Sequence, residues 1–331
     1  MFHRVVGCPK EIKRDEYRVA ITPSRVKLLT SQGVDVLIGK NAGLDSGFYD
    51  EDYKTVGAYI VQDSEVYQKS QIILKVAPPQ DYEIDFIRSD HIVFGSFKKF
   101  QKSVLGELKG TSLINYDKFP CEEMSEIAGI LSIQKGMQFL DKSFGGNGVL
   151  LSGMSSILPG NVCVIGAGTR GFNAALSAAK LGANVFIMEK NLLRVSTLRK
   201  FFKIYANVEV IQAQESYQFE PYLEIADLIV GATTDGEKLI MTDIIKRFKH
   251  GSVFVDLCVG GMTEVSMPTS FEKPMIYYDV LFYCVDNLPS CVPMTSSPAL
   301  SKATFPYIEQ VVKYGLKVAS QNNIDLLKSI M

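Results

Sequence analysis

The chain is short of four things, and each shortage closes off a class of function. Net charge is nearly absent, at −1 over 331 residues. A protein whose main partner is nucleic acid needs a basic face for the phosphates, so no nucleic-acid role is expected. Long apolar runs are missing too: no uncharged apolar stretch reaches the ~18 residues that would suggest a membrane span. The opening MFHRVVGCPKE also lacks the apolar segment of a signal peptide. The six cysteines, Cys8, Cys121, Cys163, Cys258, Cys284 and Cys291, form no CxxC pair, and several sit in apolar runs such as NVCVIG and VDLCVG. They read as free, buried thiols of a reducing compartment, which points to the cytoplasm. Histidine is scarce: His3, His91 and His250 are all there is, so a thiol nucleophile has few candidate bases.

An apolar fraction of 47% and the length together suggest two domains, each with its own core. Strand-like runs alternate with amphipathic stretches from the start. RVVGC, VDVLIG, AYIVQ, QIILKV, HIVFGSF and SLINYD read as strands. Thr22-Pro23 signals the start of a helix running to about Gln32, and segments 50–56, 63–69 and 102–109 read as short helices. A long helical pattern covers 122–141. A Gly- and Ser-rich stretch follows at 143–160, ending in a Pro-Gly turn. A second alternation runs through NVCVIG, NVFIME, VEVIQ, DLIVGAT and SVFVDL, and 299–329 again reads as helix. The pattern predicts an α/β protein of two Rossmann-like, doubly wound domains with parallel sheets, joined by two helices. The first domain comprises 1–130 plus a returning 297–331, and the second 140–290.

The strand NVCVI runs straight into Gly166-Ala167-Gly168-Thr169-Arg170-Gly171 and then into a helix. GxGxxG in this context is a dinucleotide signature. Gly166 permits the tight turn, Gly168 lets backbone approach a pyrophosphate, and Gly171 lets the helix pack close on the strand. The next strand ends at Glu189, 23 residues after Gly166, where a carboxylate is expected to bind the adenosine ribose hydroxyls. Glu189 should repel a 2′-phosphate, which favours NAD over NADP, although Lys190 and Arg194 lie close by.

Beyond this signature, GCPKEIKRDEYRVAITP, AGLDSGFYDEDY, ILKV, MSEIAG, GGNGVLL, IGAGTRGFNAA, YCVDNLP and PALSKATFPY follow one another along the chain. In that order they resemble the alanine dehydrogenase family, which is related to the nucleotide-binding subunit of proton-translocating transhydrogenase. The resemblance implies a substrate domain built from both chain ends and a central NAD domain. It also implies assembly into a homo-oligomer. Arg18 is similar in position to the arginine that grips the substrate carboxylate, a task suited to a guanidinium. Lys75 matches the lysine that contacts the substrate carbonyl oxygen or carboxylate; ending an apolar strand, it needs a partner if buried. Ser125 matches a serine at the cofactor phosphates, and Asn287 an asparagine beside the nicotinamide. Thr233 and Thr234, and Leu257 to Val259, fall where the family lines the cofactor cleft, and Arg194 joins this cofactor set.

Two positions depart from the family pattern. Where the family carries an acid–base histidine, this chain has Lys98, or Lys99 if the register slips by one. Where the family has an aspartate beside the nicotinamide, Gly260 stands; Asp286 offers a carboxylate near that place. The expected activity is that of an NAD-dependent oxidoreductase acting on CH–NH2 or C=N groups, with a small-molecule carboxylate as substrate. The alternatives are a divergent member acting on another substrate in a specialised pathway, or an NAD-binding protein without turnover. Arg18, Lys75 and Lys98 together predict a strongly positive pocket that suits an anion with one carboxylate or two. One of the two lysines would then serve as a base, its acidity raised by repulsion and desolvation.

Overall fold

The structure is a computed structural model, and it describes residues 4–97, 108, 110–233, 238–258 and 261–331. The chain divides into two compact units. One comprises Met1–Met124 with Pro289–Met331, and the other is Ser125–Leu288.

The first unit is built on β1 (Val5–Cys8), β2 (Asp35–Gly39), β3 (Tyr59–Val61), β4 (Ile72–Leu74), β5 (Ile92–Gly95) and β6 (Ser112–Asn115). They form one sheet in the order β3-β2-β1-β4-β5-β6, and every pairing is parallel. The connecting helices include α1 (Pro23–Thr30), α2 (Asp50–Thr55), α3 (Asp63–Lys69) and the single turn α4 (Asp81–Ile84). Alternation along the strands feeds two cores. Ile72 and Leu74 pack on one face with Val6, Ile38 and Phe94, whereas Ile73 packs on the other with Val66, Tyr67 and Val93. Both faces of a parallel sheet must be covered, which is why these strands read as apolar throughout. Pro23 opens α1, but the Thr22 side chain caps nothing; its Oγ1 pairs with Ser24 Oγ at 3.0 Å. Of the helix expected at 102–109, all but Leu108 lies outside the described residues.

The last segment corrects one expectation. In place of one helix over 299–329 there are three: α10 (Pro293–Tyr314), α11 (Leu316–Asn322) and α12 (Ile324–Ser329). Gly315, at φ +81°, ends the first. The Asn323 side chain accepts from the N–H groups of Asp325 and Leu326 and so caps the third. Leu300, Phe305, Ile308 and Val311 of α10 complete the larger core of this unit.

The second unit opens with α5 (Glu123–Leu140) and carries a seven-stranded sheet. Its strands are β7 (Asn161–Ile165), β8 (Asn184–Glu189), β9 (Val208–Gln212), β10 (Leu228–Gly231), β11 (Val253–Asp256), β12 (Met275–Tyr277) and β13 (Val280–Tyr283), in the order β12-β13-β11-β10-β7-β8-β9. Helices α6 (Thr169–Leu181), α7 (Leu192–Phe202), α8 (Glu220–Ile225) and α9 (Thr242–Ile245) connect them. Six strands are parallel, as expected, but β12 runs antiparallel at the edge. Among the described residues no helix is long and apolar enough to cross a membrane.

Candidate active site

Open parallel sheets bind ligands beyond the carboxyl ends of their strands, where the strand order reverses. Each unit has one such point. In the second unit it lies between β7 and β10, and the chain leaving β7 is the glycine turn. Gly166 adopts φ +86°, a conformation that a side chain disfavours. A Cβ on Gly171 would lie 1.8 Å from the Gly166 carbonyl oxygen, so only glycine lets α6 start there. A Cβ on Gly168 would meet nothing within 4 Å. The protein thus leaves open the place where a pyrophosphate would approach the backbone, at the N-terminus of a 13-residue helix.

Neighbouring side chains hold this turn. Glu189, at the end of β8, accepts from the Ala167 N–H at 3.0 Å and from the Asn191 N–H at 2.9 Å. Arg194 Nε donates to the Ala167 carbonyl. The peptide between the first two glycines is therefore fixed on both sides by the two residues named for the ribose end. Thr233, leaving β10, touches Gly166, and its carbonyl accepts from Cys258 Sγ at 2.6 Å. Arg170 NH1 donates to the Leu257 carbonyl at 2.9 Å. Helix α5 packs on the turn through Gly129, where a Cβ would lie 2.1 Å from the Arg170 carbonyl oxygen. Ser125 sits one turn earlier on that helix. Asn287 follows the carboxyl end of β13 in the same sheet. Val259, Thr234 and Gly260 lie outside the described residues.

In the first unit the order reverses between β1 and β4, and charged side chains fill the point. Lys75, the residue after β4, is fully buried. Its ammonium donates to Glu11 Oε2 at 3.0 Å and to Glu83 Oε1 at 2.7 Å. Glu11 comes from the loop after β1, and its Oε1 accepts from the Val76 N–H at 2.6 Å. Glu83, on α4, also accepts from the Tyr67 hydroxyl at 2.7 Å and from the Gln80 N–H at 2.8 Å. Burial alone would lower the Lys75 pKa, but Glu11 and Glu83 outweigh it and hold the amine above its usual range. Burial pushes the Glu11 carboxyl up, to about 7, against the pull of Lys75 and with the push of Glu16 and Glu83.

Arg18 is buried nearby. Its Nε and NH2 donate to the two oxygens of Glu16 at 2.7 Å each, a bidentate pair that fixes the guanidinium plane. Glu16 is close enough to Glu11 to raise its pKa, so the two ion pairs are neighbours.

This geometry corrects the expected pocket. Lys75 does not have the lowered pKa that a neutral lysine base needs, because two carboxylates, Glu11 and Glu83, flank it. Nor do Arg18 and Lys75 build a strongly positive pocket, since Glu11, Glu16 and Glu83 accompany them. Lys98, the third expected cation, lies outside the described residues. The three acids were missed because a buried lysine announces that it needs partners without saying where in the chain they lie. His91 is structural: the Arg88 N–H donates to its Nδ1 at 3.1 Å, leaving Nε2 to donate to the Tyr67 carbonyl at 3.0 Å. Burial, then Arg88, lowers its pKa. All six thiols are free. Burial raises Cys8 to about 12 and Cys258 to about 11, far from a nucleophile's range. Among the described residues no cluster of His, Cys, Asp and Glu could hold a metal ion.

Two family models match this chain: "Alanine dehydrogenase/PNT, N-terminal domain" over residues 7–128 and "Alanine dehydrogenase/PNT, C-terminal domain" over residues 132–331. The chain belongs to the alanine dehydrogenase/PNT family. The alanine dehydrogenase of Mycolicibacterium smegmatis is 36% identical over 347 residues, covering 98% of this chain and 92% of that protein. A solved structure named L-alanine dehydrogenase superposes with a TM-score of 0.93 at 33% identity, covering 98% of this chain and 94% of the other. A transhydrogenase from Sinorhizobium meliloti shares the fold, with a TM-score of 0.80 at 20% identity over 98% and 96% of the two chains. The kinship is thus with NAD-dependent amino-acid dehydrogenases of the alanine dehydrogenase type, and it runs along nearly all of this chain.

Proposed function

We propose that the protein is an NAD-dependent oxidoreductase that acts at the CH–NH2 carbon of a small amino acid and, in reverse, at the C=N carbon of the imine of an oxo acid. One observation carries this reading. In a chain similar along its length to alanine dehydrogenases, Arg18 and Lys75 both stand buried and ion-paired, Lys75 next to the switch point of the first sheet. Buried cations with such dedicated partners are held for a task, since an apolar pair of similar volume would cost less to bury.

The first unit would bind the substrate and the second the cofactor. Arg18, oriented by Glu16, would take the substrate carboxylate. The Lys75 ammonium would face the carbonyl oxygen or the carboxylate, and Lys98 would add a third cation. The turn Gly166, Gly168 and Gly171 with the α6 N-terminus would hold the pyrophosphate, and Glu189 the ribose hydroxyls. Ser125, Arg194, Thr233, Val259 and Asn287 would line the remainder of the cofactor. The open space at Gly168 and the doubly anchored Glu189 carboxylate support that fit. When bound, NAD supplies the acceptor for the hydride that leaves the substrate Cα. The protein's own part is to grip, to orient and to carry protons. Six free cysteines accord with a cytoplasmic location, and a homo-oligomer accords with family membership.

Lys98 in place of the family's histidine, and Gly260 in place of its aspartate, favour a second reading: a family member with another substrate in a specialised pathway, or one that binds NAD without turnover. A panel of amino and oxo acids, followed by NADH fluorescence, separates them. Turnover of alanine or pyruvate upholds the first reading. Turnover of a different acid alone selects the specialised enzyme, and tight NADH binding with no turnover selects the last.

A further inference from the structure

Lys75 lies between two carboxylates, and all three side chains are buried. With all three groups ionised the cluster carries one uncompensated negative charge, and burial makes that charge costly. The cheapest relief is a proton shared within the cluster, as when two carboxylates occupy one site. Four donors already fix where that proton can go. Glu83 accepts from Tyr67, Lys75 and the Gln80 N–H, so its oxygens are committed. Glu11 accepts, among the described residues, from Lys75 and the Val76 N–H. Among the described residues the buried Tyr116 hydroxyl makes no hydrogen bond, and it feels the Glu11 charge.

We propose that Glu11 stores the proton of the reaction and exchanges it with the substrate through the Lys75 ammonium. This rests on the dehydrogenase reading above. It assigns the acid–base work to a carboxyl, His91 having both ring nitrogens engaged structurally. In the oxidative direction, hydride loss leaves an iminium carbon. Water adds to it: the C–O bond forms and the C=N π pair moves onto nitrogen. The water's O–H proton passes to Lys75 Nζ as a Lys75 N–H proton passes to Glu11 Oε2. Lys75 ends as it began, an ammonium, and Glu11 ends as the neutral acid. The reductive direction runs the same transfers backwards. Lys75 thus acts as a conduit with no need to be a neutral amine, consistent with the carboxylates that keep it charged.

The groups facing Glu11 come from every element around it. They are Lys75 after β4, Glu83 on α4, Tyr67 on α3, Cys8 at the end of β1, Glu16 in the following loop, and Tyr116 after β6. Burial raises the pKa of Cys8, Tyr67 and Tyr116, so none of them competes for this proton near neutrality. The Glu11 carboxyl does titrate there.

Two measurements on the full chain test the assignment. The first is isotope-edited infrared spectroscopy of protein carrying labelled glutamate, from mildly acid to mildly alkaline pH. A protonated-carboxyl band that disappears through neutrality, and that is absent from Glu11→Gln, is expected. The second is the pH dependence of turnover. Glu11→Gln should lower kcat by roughly 10²–10⁴, the range for general acid–base work, and abolish the ionisation near neutrality while KM moves little. Glu11→Asp should restore part of kcat together with that ionisation. Glu83→Gln, which removes one of the two competing carboxylates, should keep the ionisation but move it to lower pH. Glu11→Gln turning over with an unchanged profile and an unchanged infrared band would overturn the proposal. An unmodified protein that turns over no amino or oxo acid would instead bring down the dehydrogenase reading, and the catalytic role with it.

Discussion

In the first unit the reversal of strand order, between β1 and β4, is filled by side-chain charge: Lys75 and its two carboxylates, with the Arg18 pair adjoining. In the second unit the reversal, between β7 and β10, is filled by backbone: three glycines, a helix N-terminus and a peptide clamped between Glu189 and Arg194. Both sheets follow the same winding rule, yet one presents ions and the other presents N–H dipoles and empty space. The difference suits the ligands assigned to them. A diphosphate needs room and many weak donors, whereas a small acid needs a few strong, fixed charges.

The comparison breaks most visibly if a charge is removed from the first site. Lys75→Met leaves Glu11 and Glu83 buried without their cation. It should destabilise the protein by about 3–5 kcal/mol, read from urea unfolding, and abolish turnover while NADH binding to any folded fraction survives. In the second site the equivalent injury is steric. Gly171→Ala forces a Cβ into the Gly166 carbonyl and should cost about 1–3 kcal/mol, the range for overpacking. NADH titration should show that variant losing the cofactor, the reverse of the Lys75 result. A milder change sharpens the picture. Glu189→Ala should narrow the preference for NADH over NADPH by on the order of tenfold, equivalent to about 1.4 kcal/mol. Equal affinity of the unmodified protein for both would remove Glu189 from the role.

The smallest effect is in pH. The Glu11 pKa is raised by folding, from 4.5 to about 7, so the folded state binds its proton more tightly than the unfolded chain does. The stability this contributes is full below the unfolded value and is lost as pH rises through the folded one. Melting temperature should therefore fall between mildly acid and neutral pH, and Glu11→Gln should flatten that slope. No comparable slope over that range is expected from the glycine turn, which contains no titrating group.

The two sites were unequally legible in the sequence. The glycine turn obeys a local rule: Gly166, Gly168 and Gly171 fall within six residues, and Glu189 one strand later. The charged site obeys a non-local rule. Lys75 could be picked out, but its partners lie at positions 11 and 83, on a loop and on a four-residue turn of helix too short to show any periodicity. Elsewhere the strands and long helices were readable because apolar runs and amphipathic periods are strong signals. The β12–β13 hairpin was not: its two-residue turn, Tyr278-Asp279, takes positive φ at both positions without a glycine or asparagine to announce it. The breaks at Gly315 and Asn323 were hidden inside a continuous apolar pattern.

The division of the chain has a consequence for how the molecule is made. The second unit is one uninterrupted stretch, so it can close its core while the ribosome is still at work. The first unit cannot. Its strands are synthesised early, but Leu300, Phe305, Ile308 and Val311 arrive only after the whole of the inserted unit has emerged. Until then one wall of the early core is missing, and Val26, Leu29, Ile38 and their neighbours wait without their final cover. The slow, aggregation-exposed step in the birth of this protein is thus the late return of α10 to strands made long before it, a contact of very large sequence separation. Cells expressing the chain at lower temperature, or with more holding chaperone, should recover more of it folded.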